Sequence, residues 1–133
     1  MRLRTYFVLA LAAVAAGCTK ETRYERIQRE AREFTQKNCP KEVEPGIVQD
    51  SLCFDIGARR LEYCYTIGEP LDHDSIFTDD LEERFRGKVL QELRASIQMK
   101  GYKDAGVTFA YTYYSARSGK RYMSIEFTPE EYR

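Results

Sequence analysis

Two short runs of alternation near the end of the chain constrain its fold most. Val107, Phe109, Tyr111 and Tyr113 place apolar or aromatic side chains on one side of an extended segment, and Met123, Ile125 and Phe127 do the same after a polar gap. A period of two is the mark of a strand with one buried face. For both sets to lie on the same side of a sheet, their inward positions must oppose one another. A three-residue loop, Arg117-Ser118-Gly119, sets Tyr113 against Met123, Tyr111 against Ile125 and Phe109 against Phe127, with Gly119 in the left-handed position. A two-residue turn would oppose inward to outward positions and is rejected.

A second alternating pair lies earlier. Ile47 to Asp55 carries Val48, Leu52 and Phe54 on one face, and Leu61 to Ile67 carries Leu61, Tyr63, Tyr65 and Ile67. A four-residue loop, Gly57 to Arg60, would put Asp55 opposite Glu62 and Cys53 opposite Cys64. Those two cysteines become candidates for a cross-strand disulfide, and Cys39 is a third candidate partner, since connectivity is not readable from spacing. Lys41 to Gly46 reads as a polar connection with Pro45-Gly46 as a turn.

Two stretches carry the helical period. Tyr24, Ile27, Ala31 and Phe34 form one stripe within 19–38, with Thr22 placed to cap it and Cys39-Pro40 to end it. Its other faces mix Arg23, Arg26, Arg29 and Arg32 with Glu25, Glu30 and Glu33. That face suits either anionic headgroups or solvent, with ion pairs four residues apart. Leu81, Phe85, Val89, Leu93 and Ile97 step by four through a second helix over 79–100, behind Thr78 as N-cap. Thr128 to Tyr132 reads as a terminal helical turn. The element order is α-β-β-α-β-β, and the expectation is an α+β two-layer sandwich. Two helices cover one face of a four-stranded antiparallel sheet.

The first 18 residues give an address. Arg2 and Arg4 precede an apolar run from Tyr6 to Ala16, and small residues lead to Gly17-Cys18. The run is short of the roughly 20 residues a membrane span needs and fits an export signal. Ala15-Ala16-Gly17-Cys18 resembles the lipobox of bacterial lipoprotein precursors. The resemblance implies cleavage before Cys18, acylation of its thiol with chains such as palmitate, and a mature part of 18–133 held on a membrane. Residue three before the cysteine is Ala15, where that family more often has Leu. Thr19, where an Asp would favour inner-membrane retention, points to the outer membrane facing the periplasm in a Gram-negative host. Over roughly residues 39–132, the turn, the hairpin ending Tyr63-Cys64-Tyr65, the long helix and the Tyr-rich hairpin are similar to small exported bacterial proteins of uncharacterised function.

Charge excludes one class of partner. The chain has 21 basic and 21 acidic residues, without the basic excess of a nucleic-acid binder. Catalytic and cofactor signals are weak. One histidine, His73, lies between Asp72 and Asp74. A zinc site needs further His or Cys ligands, and the glycine and terminal glutamate of a calcium loop are missing at their spacing. No catalytic residue, metal or cofactor is assigned. The leading expectation is a non-enzymatic envelope lipoprotein that binds a protein or glycan. A small hydrolase or metal-dependent enzyme using His73 and its aspartates is the alternative, and a passive structural lipoprotein is another. The candidate binding face is the outer side of the last hairpin, where Thr108, Thr112, Tyr114 and Tyr122 form a polar aromatic surface. A merely solvated sheet face has the same composition.

Overall fold

The computed structural model describes residues 20–133. The signal segment, Cys18 and Thr19 lie outside the described residues. Helix α1 spans Arg23–Asn38 and begins as the sequence predicts, with the Thr22 hydroxyl accepting from the Glu25 N–H at 3.1 Å. Three strands follow: β1 Lys41–Glu44, β2 Ile47–Asp55 and β3 Arg60–Ile67. A loop with a single 3₁₀ turn at Asp74–Ile76 leads to α2, Asp79–Ala95, capped by the Thr78 side chain. Then come α3 Lys100–Asp104, β4 Thr108–Ser115, β5 Arg121–Phe127 and the terminal turn α4, Pro129–Tyr132.

The sheet corrects the sequence expectation in two respects. It has five strands in the order β1-β2-β3-β4-β5, and β3 runs parallel to β4. It is therefore mixed rather than four-stranded and antiparallel. The parallel pair follows from the connection: the chain returns through α2 before entering β4, and a crossover of this kind joins parallel neighbours. Strand β1 falls where the polar composition predicts a connection; all four of its residues are exposed, so it carries no alternation. The Pro45-Gly46 turn is nonetheless present, with Gly46 at φ 83°.

The β4–β5 register is the one predicted: Phe109 opposes Phe127, Tyr111 opposes Ile125 and Tyr113 opposes Met123. Gly119 takes φ 71°. Nearer the turn a bulge shifts the pairing, so that Tyr114 opposes Arg121. The β2–β3 register differs from expectation by two residues. Asp55 Oδ1 accepts from the Ala58 N–H at 3.0 Å and starts the turn at once. Asp55 then opposes Arg60, and Cys53 opposes Glu62 instead of Cys64. A second bulge at Asp50 reverses the face of the preceding residues. Gln49, opposite Tyr65, is buried, whereas Val48 moves out beside Thr66.

Both helices contribute to one core on one face of the sheet. Ile27 and Ala31 of α1, Leu93 of α2 and Tyr132 of α4 join Phe54, Leu61, Phe109, Ile125 and Phe127. Helix α1 also closes the edge of β2 that β1 is too short to pair. The Thr35 hydroxyl donates to the Leu52 carbonyl and accepts from its N–H, both at 2.9 Å, and Gln28 donates to the Phe54 carbonyl at 3.2 Å. These side chains satisfy backbone groups that would otherwise be orphaned. At the end of the chain the Tyr132 hydroxyl donates to the Val107 carbonyl at 2.7 Å.

Helix α2 ends earlier than the apolar stripe predicts. Ser96 leaves the helix in an extended conformation (ψ 119°), and its Oγ accepts from the Met99 N–H at 3.2 Å. Met99, not Ile97, then packs against the core, and Ile97 is turned out with 86% of its surface exposed.

Phe127 is fully buried, edge-on to Tyr111 and beneath the Arg86 guanidinium. Phe127→Ala is expected to cost about 3–5 kcal/mol. Urea unfolding checks this: the midpoint should fall while the slope stays the same.

Candidate binding groove

Strands β3 and β4 run parallel with Tyr63 beside Tyr111 and Tyr65 beside Tyr113. Each pair stacks, with centroids 4.9 and 4.7 Å apart and planes within 8° and 10° of parallel. Burial pushes all four phenols up, Tyr65 to about 12, so all are neutral at physiological pH. The helices lean to either side: α1 on β2, and α2 toward β5. Tyr65, Tyr111 and Tyr113 of this ladder are left as the floor of a groove.

The groove is open along α2. Its wider end is a cavity of about 390 Å³ walled by Val43 and Ile47, Ile76 and Phe77, and Phe85 and Tyr113. Among the described residues, Glu44 is the one charged residue of that lining. A neighbouring cavity of about 380 Å³ shares Glu44, Tyr65, Phe85 and Tyr113 and continues past Lys88 and Glu92 to Met99. An apolar cleft with few polar groups is the usual form of a binding site. The sequence pattern does not reveal this cleft. Val43 falls in the exposed strand β1, and Ile76 and Phe77 fall in a segment read as loop. Two bulky apolar residues in that segment were the available signal.

The cluster around His73 has a different role. Asp72 is buried and accepts from Ser115 Oγ and Tyr122 Oη, each at 2.6 Å, and from the Arg117 N–H at 2.8 Å. The Ser115 and Tyr122 hydroxyls, followed by the Arg117 amide, hold its carboxyl below the ordinary range, against the opposing effect of burial. His73 points away to Glu69, at 3.0 Å, and Asp74 begins the 3₁₀ turn. The three residues do not converge, and among the described residues no group of three potential ligands could hold a metal. Asp72 ties the loop before α2 to the tip of the β4–β5 hairpin.

Of the expected outer-face residues, the structure brings three into line on β4. Thr108 is half-buried, Tyr114 is exposed, and Thr112 is buried with its hydroxyl donating to Glu62 at 3.1 Å. Arg60 links Glu62 and Glu126 across the same face at 3.2 and 3.4 Å. Tyr122 is committed elsewhere: besides binding Asp72, it stacks on Phe77 at 4.2 Å. Cys39, Cys53 and Cys64 are free thiols; Cys53 is exposed and the others half-buried. Burial pushes the Cys39 and Cys64 thiols up.

This architecture, a five-stranded mixed sheet with its helices on one face, is shared with solved structures. One is a protein of Pseudomonas aeruginosa proposed to be secreted, with TM-score 0.65 and 8% identity, covering 86% of this chain and 100% of its own. Another is the pilotin EpsS of the Vibrio vulnificus type 2 secretion system, with TM-score 0.58 and 11% identity, covering 83% and 91%. At such identity the likeness is one of fold. Residues 22–123 match the family described as a domain of unknown function, DUF8479, and the chain belongs to that family. Comparison with curated proteins gives no match. Among the described residues no helix is long and apolar enough to cross a membrane.

The depressed Asp72 carboxyl gives a pH-dependent expectation. Its contribution to stability is complete above the unfolded value, near pH 4, and is lost as pH falls through the lower folded value. Asp72→Asn should therefore lower Tm at neutral pH. The gap to the unaltered protein should narrow below about pH 4. Thermal melts across that range check both parts.

Proposed function

We propose that this protein is a lipid-anchored accessory protein of the bacterial envelope that holds an apolar segment of another envelope protein in its tyrosine-floored groove. The observation that carries this reading is the groove itself: an open cleft over a neutral aromatic floor, apolar at its wider end, between α2 on one side and strand β1 with the 3₁₀ turn on the other. Export fits the lipobox-like Cys18, and an envelope partner fits the shared fold with a pilotin. The rim gives the segment a sign. Glu44 and Glu92 face a single Lys88, so a basic residue flanking the apolar stretch would be favoured. A non-enzymatic role fits the dispersal of His73, Asp72 and Asp74.

A photo-crosslinking side chain at Val43, which is 42% exposed, tests the groove in native envelopes. One dominant protein adduct is expected from that site and none from the same probe at Tyr114. Phe85→Ala removes a groove wall that could bury about 1.5–3 kcal/mol against a partner, so the adduct should fall roughly tenfold or more. An adduct from Tyr114 alone would move the site to the outer sheet face.

A further inference from the structure

The end of the molecule that holds the start of α1 carries a feature the groove does not use. Ile97 stands in the turn between α2 and α3 with 86% of its surface exposed, whereas the other exposed large apolar residues lie between 36% and 42%. A continuous helix would have kept Ile97 on the buried stripe. The break at Ser96 assigns the core position to Met99 and projects Ile97 outward.

The surroundings of Ile97 are cationic. Arg94, Lys100, Lys103 and Arg133 line a shallow depression of about 560 Å³ beside it, with Asp104 as the one acidic side chain of that lining. Asp104 pairs with Lys100 at 2.6 Å. Arg94 donates to the Glu131 carbonyl, and Lys103 to the Leu93 and Arg94 carbonyls. Carbonyl acceptors orient these groups without cancelling their charge. A neighbouring cleft of about 450 Å³ joins Gln98 and Gly101 to Arg23, Arg26 and Glu30 of α1. Arg26 lies 4.0 Å from Glu30, and Arg23 has no carboxylate partner among the described residues. The described residues begin at Lys20, three positions before Arg23. Cys18 is two residues earlier, a reach of roughly 7 Å.

We infer that this end rests on an anionic phospholipid surface, with Ile97 inserted among the acyl chains and Arg23, Lys100 and Arg133 over the headgroups. The inference relies on the proposed acylation of Cys18, which would deliver this face to the bilayer. Apolar insertion flanked by cations is the combination that binds such interfaces. It would hold the protein in one orientation, where an acyl anchor alone leaves it free to tumble.

The chain has no tryptophan, so Ile97→Trp supplies a single fluorophore at a solvent-exposed position. The mature acylated protein would be reconstituted into vesicles with brominated acyl chains. Vesicles of phosphatidylethanolamine and phosphatidylglycerol should quench and blue-shift its emission, and phosphatidylcholine vesicles should not. Tyr114→Trp should stay unquenched in both. Adding Lys100→Glu and Arg133→Glu to the Ile97→Trp protein should reduce the docked fraction by about tenfold or more, while the protein still floats with the vesicles. Flotation without quenching, or equal quenching in phosphatidylcholine, overturns the docking and leaves the anchor reading intact. Failure to float overturns both.

Discussion

The parallel contact between β3 and β4 supports most of what is distinctive here. Two hairpins could have met edge to edge in several ways. The crossover through α2 brings β4 alongside β3 in the same direction, residue for residue, from Arg60 beside Thr108 to Ile67 beside Ser115. That register turns four inward tyrosines into two stacked pairs. It also sets the helices apart: α1 must serve the unpaired edge of β2, through Thr35 and Gln28, and α2 must lie toward β5. The groove lies over Tyr65, Tyr111 and Tyr113, between α2 and strand β1.

Helix α2 also separates the two surfaces to which we assign roles. At 17 residues it is roughly 25 Å long. Its first half walls the wider, apolar end of the groove through Leu81 and Phe85. Its last turn and the residues after it carry Arg94 and Ile97. A bilayer at the second end would leave the wider mouth of the groove at the opposite end of α2. Asp72 holds the distal end together by joining the loop before α2 to the β4–β5 tip, so the groove's wider mouth is braced by hydrogen bonds.

How much of this was legible depended on whether neighbours or distant residues made the decision. The inner register of β4 and β5 could be read because alternation and one glycine specify it locally. The caps at Thr22 and Thr78 could be read for the same reason. Strand β1 could not, since Lys41 to Glu44 is exposed on every side and owes its extended form to pairing with β2. The bulges at Asp50 and Tyr122 also escaped. Each reverses or diverts side chains whose pattern looks regular, and so moved Val48 outward, Gln49 inward and Tyr122 to Asp72. Of the binding candidates, the Thr108, Thr112 and Tyr114 alignment was legible, but the groove was not, because its walls come from β1, the 3₁₀ turn and α2.

The sequence by itself determined the elements whose signals are short-range: two amphipathic helices, four alternating strands and the Gly119 turn. Apolar periodicity and local capping set these without reference to the rest of the chain. Only the tertiary structure decided the parallel join, the fifth strand, the early stop of α2 and the outward turn of Ile97. Each depends on which distant surface is available to bury an apolar side chain or to satisfy a backbone group. Met99 against Tyr63, Thr35 against Leu52 and Asp72 against Ser115 are contacts between segments that nothing in the local pattern brings together.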